Sequence, residues 1–307
     1  MQEDAKRAMQ IKDKFKFLYS WFRNRRFLLL IPDSLYLRFY YRFKMGRKLD
    51  LNQPKAFNEK IQWLKLYDRN PVYTIYADKY EVREHVKSII GEKYLIPLLG
   101  VWDSFDEIDF DQLPNRFVLK CTHDSGGVVP CRDKDKLDLL KVKERINRRM
   151  AVNYYDWSRE WAYKHIQPRI ICEEFIESKS GQVPNDYKIH CFNGEPKNIM
   201  VCGERESGET QFYLFDCDWN RKTFIYSEPG NPGEASIPKP EKLNKMLEIA
   251  CSLSKGIPFV RVDLYYENDQ IYFGEMTLYP QSGYDAELLV ETDLLWGEAL
   301  DLPRKVF

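Results

Sequence analysis

The sequence predicts an α+β protein whose strands pair antiparallel, with helices before and after them. Two stretches carry this prediction. Residues 186–192 alternate like a strand and end at Asn193-Gly194, a strong signal for a tight hairpin turn. Within residues 259–280, two runs rich in β-branched and aromatic residues flank the polar residues 267–270, which predicts a second hairpin.

Length, charge and cysteine content limit the class of protein. A chain of 307 residues can bury a sizeable core and is long enough for two lobes. Its formal net charge of zero gives no electrostatic support for a nucleic-acid partner. Seven cysteines without a C-x-x-C pair are typical of free thiols in a reducing compartment. The charged start lacks the apolar segment of a signal peptide, so we expect a cytoplasmic protein.

The first 70 residues are predicted to form a basic, aromatic and helical region. Residues 1–50 contain 13 Lys and Arg against 5 Asp and Glu, a net charge of +8, so the rest of the neutral chain carries −8. Helices are predicted over residues 9–28, 35–48 and 58–68, the last with Asn58 as its cap. Such a region can lie at the inner face of a membrane or hold an anionic polymer. The alternative is that it packs on the body of the protein.

A glycine loop between two short strands is the next local signal of function. The strand over residues 117–120 ends on Lys120 and leads to Ser125-Gly126-Gly127, after which residues 128–131 form another strand. Backbone N–H groups of such a flap can close over phosphates, whereas the alternative is an ordinary glycine hairpin. The spacing of a Walker loop is absent.

The remaining elements follow from the same patterns. Helices are predicted over residues 77–89 (ended by Gly91), 136–150, 243–253 and 288–300, strands over 170–176, 198–203 and 211–215, and a loop over 228–240.

The hairpin over residues 259–280 carries charged side chains whose placement depends on its register. Arg261 and Asp263 share one face of the first strand, and Glu275 and Thr277 share one face of the second. A three-residue loop would set Asp263 opposite Glu275, while a four-residue loop would put these carboxylates on opposite faces. Facing carboxylates need a cation between them, and Mg²⁺ suits carboxylate and phosphate oxygens. The alternative is a half-solvated hairpin with its charges outside.

Taken in order along the chain, these motifs resemble the ATP-grasp superfamily and, more closely, its TupA-like branch. The resemblance spans about residues 55–285 and lies in the order of Phe57-Asn58-Glu59-Lys60, Ala77-Asp78-Lys79, residues 120–127, Arg261-x-Asp263 and Phe273-Gly274-Glu275-x-Thr277. It implies a clamp of two α+β lobes with antiparallel sheets, preceded by the basic helical region. The implied division is 1–70 for that region, 71–172 for a small lobe with the glycine flap, and 173–307 for the C-terminal lobe.

The resemblance also implies a role for each candidate residue. The ATP phosphates would be held by Lys79, Lys120, Ser125, Gly126 and Gly127, the adenine by Glu173, Glu174 and Ile176, largely through backbone groups, and the ribose by Asp186. Lys188 would face the phosphates, Arg261 would stabilise the acyl phosphate or tetrahedral intermediate, and Asp263, Glu275 and Thr277 would hold Mg²⁺.

Proteins of this kind use ATP and Mg²⁺ to activate a carboxylate as an acyl phosphate and pass the acyl group to an amine. The resemblance implies such a ligase in bacterial capsular or cell-surface polysaccharide biosynthesis. It would join an amino acid or uronic acid to an amine, with an anionic saccharide or lipid-linked glycan as a candidate acceptor. Two features depart from the family pattern: Thr277 stands where many such ligases have asparagine, and residues 1–70 replace an α/β domain that often helps to bind substrate.

Two other functions stay open at the level of the sequence. Asp216-Cys217-Asp218 is formally the D-x-D of a metal-dependent glycosyltransferase, although its context is also typical of a strand entering a turn. A nucleotide-binding protein without catalysis is the third class, and the presence of Arg261, Asp263 and Glu275 argues against it.

Overall fold

The computed structural model of the chain describes residues 26–178, 184–203, 211–222 and 237–305. Most of the predicted helix over residues 9–28 and of the predicted loop over 228–240 lies outside these ranges. The helices are α1 (Asp33–Met45), α2 (Phe57–Tyr67), α3 (Val72–Ala77), α4 (Val82–Ile90), α5 (Leu139–Met150), α6 (Tyr155–Ser158), α7 (Leu243–Ser254) and α8 (Val290–Ala299). Within the described ranges, none of them is both long and apolar enough to cross a bilayer.

The strands form two antiparallel sheets. They are β1 (Leu98–Trp102), β2 (Phe117–Cys121), β3 (Val128–Cys131), β4 (Ile170–Glu174), β5 (Asp186–Phe192), β6 (Glu195–Gly203), β7 (Gln211–Asp216), β8 (Arg221–Lys222), β9 (Phe259–Glu267) and β10 (Gln270–Thr277). The small sheet has the order β1-β4-β2-β3 and the large sheet the order β10-β9-β5-β6-β7-β8. The predicted α+β class with antiparallel sheets is confirmed. The sequence pattern did not predict β1, which is bulged, or β8, which has two residues.

The small sheet separates an apolar face from a charged one. Phe117, Leu119 and Cys121 alternate along β2 and pack into one apolar cluster with residues of α5. Because side chains alternate along a strand, Lys120 points to the other face. This lysine therefore leaves the core of the small lobe and faces away from α5.

The large sheet likewise has an apolar and a polar face. Helix α7 packs on β5, β6 and β9, where Val262 and Leu264 belong to the main apolar core. The alternate residues of β5 and β9 give the opposite face a charged centre, at which Lys188 and Asp263 are register partners. We call this second surface the polar face.

The far end of the polar face is closed by helices from both ends of the chain. Phe192 and Phe259 are register partners at this end of β5 and β9. The ring of Phe57 on α2 lies 4.8 Å from the ring of Phe259 and 5.4 Å from that of Trp296 on α8. For α2, the alternative that the N-terminal region packs on the body is therefore correct, and this helix forms a wall of the polar face.

The predicted helix start at Ala77 is wrong, because Asp78 turns the chain there. Its Oδ1 accepts hydrogen bonds from the N–H groups of Tyr80 at 2.8 Å and Glu81 at 3.2 Å, and α4 begins only after this turn. The predicted end of the helix at Gly91 is confirmed.

The predicted cap of α2 is also wrong. The residue at the N-cap is Ala56, and the carboxylate of Glu59 accepts from the N–H groups of Ala56 at 3.2 Å and Lys55 at 3.0 Å. Asn58 lies within the helix, is fully buried, and bonds to residues far along the chain.

Candidate active site

The turn of the β9–β10 hairpin is shorter than predicted. Asn268 and Asp269 have φ values of 52° and 60°, and Glu267 pairs directly with Gln270. Two central residues with positive φ are typical of the tight turns whose twist matches that of the strands. The turn therefore has neither the three nor the four residues that the sequence left open.

A bulge nevertheless restores the predicted pairing of the two carboxylates. A two-residue turn alone would set Asp263 opposite Gly274. The register shifts by one residue at Gly274, so that Asp263 pairs with Glu275 and Arg261 pairs with Thr277. Of the two arrangements that the sequence left open, the structure has the one in which the two acids face each other, and the extra residue lies in the bulge instead of the turn.

Arg261 is the cation that lies between these carboxylates. Its Nε and Nη2 atoms donate to the two oxygens of Asp263 at 2.7 and 2.8 Å, and Nη2 lies 3.4 Å from Oε1 of Glu275. Nη2 also donates to the hydroxyl of Thr277 at 3.1 Å, and that hydroxyl donates to Glu275 at 3.2 Å. The guanidinium thus relieves the repulsion between the two carboxylates, a role for which the sequence suggested Mg²⁺.

Lys188 adds a second cation to the same cluster. Its Nζ bonds Oδ2 of Asp263 and, at 2.6 Å, Oδ2 of Asp186. Burial by itself would raise the pKa of Asp263, but the charges of Arg261 and Lys188 lower it below its usual value. Asp263 is only 1 % exposed, so it is an ionised carboxylate held rigidly inside the protein. With Glu275, the cluster of two cations and three carboxylates has a net charge of −1.

His190 belongs to the polar face although no sequence motif marked it. It is the register partner of Arg261 and stands opposite Asn198 on β6. Burial and then the charges of Arg261 and Lys188 lower the pKa of His190 to about 3, so the ring is neutral at physiological pH. Side chains alternate along a strand, so the position of His190 two residues after Lys188 could have predicted that both side chains lie on the same face of β5.

On the small lobe, the side chain of Glu173 joins two cations. Lys120 Nζ donates to Oε2 at 2.5 Å and Arg83 Nη1 donates to Oε1 at 2.8 Å. All three side chains are largely buried. The side chain of Glu173 is therefore paired with Lys120. The contact with adenine that the family resemblance implies for Glu173 would be made largely by its backbone groups. Arg83 was missed because it lies on α4, outside the residues of the Ala77-Asp78-Lys79 motif that precedes it.

The glycine flap between β2 and β3 encloses a buried carboxylate. Asp124 is 4 % exposed, and among the described residues neither of its oxygens has a hydrogen-bond partner. Arg149 Nη1 lies 3.6 Å from Oδ2, and Lys79 Nζ donates to the backbone oxygen of Asp124. A Cβ on Gly127 would lie 2.5 Å from both carboxylate oxygens, so a larger residue there would have to displace this anion. Ser125 lies at the exposed tip of the flap.

A cavity of about 1270 Å³ lies between the small lobe and the hairpin turn. It is lined by α4, by residues 174–177 and by the turn of β9–β10. Its lining residues include Glu174 and Ile176, for which the family resemblance implies a place at the adenine. Asn268 Nδ2 donates to the backbone oxygen of Glu177 at 3.0 Å and so joins the two sides of the cavity.

The predicted site residues thus fall into three groups. The polar face carries six of them: Asp186, Lys188, Arg261, Asp263, Glu275 and Thr277. The small lobe carries another six: Lys79, Lys120, Glu173, Ser125, Gly126 and Gly127. The cavity is lined by the remaining two, Glu174 and Ile176. Tyr163 is influenced by acids near both of the first two groups: burial raises its pKa, and the charges of Glu160, Glu275 and Asp124 raise it further.

The donor chemistry of the polar face fits a Mg²⁺ ion that binds together with phosphates. Asp263 and Glu275 provide carboxylates on neighbouring strands, and Thr277 provides a hydroxyl. In the part of the chain that the structure describes, no three His, Cys, Asp or Glu side chains are grouped to hold a metal by themselves. Mg²⁺ is commonly bound by one or two carboxylates and completed by water and phosphate oxygens.

The D-x-D sequence has a structural explanation. Asp216 Oδ1 accepts from the N–H groups of Asp218 at 3.1 Å and Asn220 at 2.8 Å, and Oδ2 pairs with Lys222 at 2.8 Å. This carboxylate caps the turn after β7, as the alternative based on its sequence context expects.

Two antiparallel lobes, one with a glycine flap and one with a carboxylate-bearing hairpin, are the parts of an ATP-grasp clamp. The chain belongs to the TupA-like ATP-grasp family, whose model matches residues 59–301. The predicted family and clamp fold are confirmed, and the predicted enzyme class, an ATP-dependent carboxylate–amine ligase, agrees with them. No curated protein matches the chain.

Several solved structures resemble the chain. D-alanine–D-alanine ligase from Bacillus anthracis, complexed with ATP, has 15% identity and a TM-score of 0.38, over 74% of this chain and 68% of that one. The same enzyme from Helicobacter pylori has 12% identity and a TM-score of 0.45, over 82% and 68%. The ATP-grasp ligase PsnB, complexed with a phosphomimetic variant of its minimal precursor, Mg and ADP, has 10% identity and a TM-score of 0.41, over 78% and 64%. The family assignment rests on the family model.

Proposed function

We propose that the protein is an ATP- and Mg²⁺-dependent ligase that joins a carboxylate to an amine through an acyl phosphate. The observation that carries this proposal is the cluster of Lys188, Arg261, Asp263 and Glu275 on the polar face, in a chain of the ATP-grasp family. Two buried cations and two facing carboxylates suit a site that handles phosphate and metal together.

In this proposal the small lobe binds the nucleotide. Lys79, Lys120 and the glycine flap contact the phosphates, residues 174–177 contact the adenine, and Asp186 accepts hydrogen bonds from the ribose hydroxyls. The flap already surrounds one anion, the carboxylate of Asp124, with Arg149 beside it. Arg149 and Lys79 place two positive charges beside the flap, which is the charge that a phosphate group needs.

The polar face carries out the chemical steps. An oxygen of the substrate carboxylate attacks the γ-phosphorus of ATP, and the bond to ADP breaks with its electron pair on the leaving oxygen. An amine then attacks the acyl carbon, loses a proton, and displaces inorganic phosphate. Lys188 and Arg261 hold the transferring phosphate and the developing oxyanion, because both are fixed cations in a buried site. Asp263 and Glu275 would hold a Mg²⁺ ion, which would neutralise negative charge during phosphoryl transfer.

The biological setting of the proposal is bacterial surface polysaccharide biosynthesis. The carboxylate would belong to an amino acid or a uronic acid, and the amine to an acceptor that carries a saccharide. This setting extends the resemblance to the TupA-like branch.

Incubation with ATP, Mg²⁺ and pools of amino acids and uronic acids is expected to release ADP and phosphate. This product pair distinguishes a ligase of this type from an adenylating enzyme, which releases AMP, and from a glycosyltransferase, which releases UDP from UDP-sugars. Arg261→Lys is the matched variant, because it keeps a charge but loses the fork that spans Asp263 and Thr277. Release of AMP or UDP, or equal turnover by Arg261→Lys, would contradict the proposal.

We further propose that α1 brings the protein to an anionic membrane surface, where a lipid-linked acceptor resides. One face of α1 carries four exposed side chains at helical spacing: Leu35, Arg38, Phe39 and Arg42. Phe39 is 79% exposed. Apolar side chains ringed by basic ones are typical of helices that lie in the interface of an anionic bilayer.

Leu35→Ser/Phe39→Ser is expected to reduce binding to phosphatidylglycerol vesicles by about tenfold or more, since two apolar side chains no longer insert. Sedimentation with vesicles measures this, and phosphatidylcholine vesicles test the contribution of charge. Leu140→Ser is the control, because Leu140 is 81% exposed on α5, in the other lobe. Equal losses in both variants, or no binding of the unmodified protein, would remove α1 as a membrane contact.

A further inference from the structure

Asp78 is a buried carboxylate that fixes the turn in which Lys79 lies. It is 2% exposed, and its Oδ1 accepts from the N–H groups of the two residues after Lys79. Its Oδ2 lies 3.3 Å from Nη2 of Arg169. Burial raises the pKa of Asp78, while the two N–H groups and the charge of Arg169 act in the opposite direction and favour the ionised form. Arg169 thus compensates a buried charge next to a lysine of the proposed nucleotide site.

The side chain of Arg169 holds this turn through two further contacts. Its Nη2 donates to Oε1 of Glu81 at 2.6 Å, and its guanidinium carbon lies 4.6 Å from the centre of the Tyr80 ring. A planar guanidinium can pair with carboxylates and stack on an aromatic ring at the same time, which is why arginine suits such a position. The side chain is only 17% exposed, so it is held inside the protein. Arg169 therefore grips residues on both sides of Lys79.

The backbone of Arg169 ties the same turn to the base of the glycine flap. Arg169 directly precedes β4, and Thr122 directly follows β2. The backbone oxygen of Arg169 accepts from the N–H of Thr122 at 2.9 Å, and the N–H of Arg169 donates to the Thr122 hydroxyl at 3.2 Å. The backbone oxygen of Thr122 accepts from the N–H of Lys79 at 3.1 Å. Because Thr122 is fully buried, where unmade hydrogen bonds are costly, the backbone of Lys79 has a fixed place beside the end of β2.

The ammonium group of Lys79 reaches the flap itself. Its Nζ donates to the backbone oxygen of Asp124, two residues beyond Thr122. Lys79 is thus bonded to the start of the flap both by its backbone N–H and by the end of its side chain. A long side chain that is already held in place loses less conformational entropy when it binds a ligand. The affinity of Lys79 for a phosphate therefore depends on the contacts that hold it.

We propose that Arg169 is a positioning residue that holds Lys79 at the flap, where Lys79 binds the ATP phosphates. Arg169 acts through Asp78 and Thr122 and does not itself contact the nucleotide. The inference rests on the proposed function, in which Lys79 is a phosphate ligand. It adds a residue that lies outside the motifs by which the sequence resembles the family.

The first test compares Arg169→Met with Lys134→Met in the absence of nucleotide. Lys134 is a half-buried cation of the same lobe, and its Nζ donates to the backbone oxygens of Phe110 and Leu113, outside the turn. Hydrogen–deuterium exchange of the amides of residues 79–81 is expected to accelerate about tenfold in Arg169→Met only, the effect of losing one net hydrogen bond. This measurement does not depend on the proposed function.

The second test is a double-mutant cycle on nucleotide binding. Lys79→Met is expected to weaken MgATP binding by about ten- to a hundredfold, and Arg169→Met by about tenfold. Arg169→Met/Lys79→Met is expected to stay within about twofold of Lys79→Met, because a positioning residue has no effect once the group that it positions is gone. Lys134→Met is expected to bind MgATP like the unmodified protein. Isothermal titration calorimetry measures these affinities.

The outcomes separate the inference from the proposed function. Unchanged exchange in Arg169→Met would show that Arg169 does not hold the turn. Faster exchange with unchanged MgATP affinity, an equal loss of affinity in Lys134→Met, or multiplicative losses in the double variant would overturn its action through Lys79. No MgATP binding by the unmodified protein would overturn the proposed nucleotide site, and the exchange would still report on the turn.

A milder variant decides the question if Arg169→Met does not fold. Arg169→Lys keeps the charge beside Asp78 but loses the planar group that stacks on Tyr80. It is expected to accelerate the exchange of residues 79–81 and to weaken MgATP binding about threefold, again without a further loss in the Lys79→Met background. Binding of MgATP as tight as in the unmodified protein would overturn the inference.

Discussion

Asp263→Asn is expected to abolish turnover and to lower the free energy of unfolding by about 3–5 kcal/mol, the cost of breaking a buried ion pair from one side. Asp263 is 1 % exposed and compensates two buried cations, Arg261 and Lys188. An amide at this position leaves both cations close together without an anion between them. Urea unfolding and ADP release measure the two effects.

Glu275→Gln is the matched control, because it removes the facing carboxylate without exposing a buried charge. The side chain of Glu275 is 42% exposed and lies 3.4 Å from Arg261, so its loss should change stability by only about 0–1 kcal/mol. Turnover should still be abolished if the two acids hold one metal. The double variant should then be scarcely less active than either single variant.

Independent, multiplicative losses of activity would show that the two carboxylates act separately. Equal stability of Asp263→Asn and the unmodified protein would contradict the pairing with Arg261 and Lys188. Two facing carboxylates without other charges would repel each other, so that removing either one would leave the fold intact or slightly more stable. The structure changes this prediction for Asp263, because two cations already neutralise it.

Lys120→Met is expected to weaken MgATP binding by about ten- to a hundredfold, since a hydrogen bond to a charged group is worth about 1.5–3 kcal/mol. The side chain of Lys120 is 14% exposed, and its ammonium is held in place by Glu173. Such a fixed cation loses little entropy when it binds a phosphate. Isothermal titration calorimetry with MgATP measures the affinity.

Lys143→Met serves as the control for Lys120→Met. Lys143 lies on α5 in the same lobe, is 41% exposed, and pairs with the exposed Asp106. Its loss should leave MgATP affinity unchanged. If Lys120→Met binds MgATP as tightly as this control, Lys120 is not a phosphate ligand and its role is limited to the pair with Glu173.

Local patterns in the sequence were sufficient to predict most of the helices and strands. Alternation over β5 and β9, the turn at Asn193-Gly194 and the helical spacing of α7 and α8 each depend on neighbouring residues. The order of short motifs also indicated the family, and most of the predicted site residues lie on the polar face or the small lobe. Helix starts were less well predicted, because a single capping contact decides them, as the carboxylate of Asp78 does for α4.

The sequence by itself therefore determined the fold class, the family, and which carboxylates and lysines belong to the candidate site. Only the tertiary structure decided how these groups are paired. The bulge at Gly274 fixes which residue faces Asp263, and Glu173 meets Arg83 across 90 residues of chain. A hydrogen bond from the N–H of Asp285 to Asn58 of α2 joins residues that lie 227 positions apart in the chain. Such contacts depend on the packing of whole elements against each other, and no local pattern of residues records them.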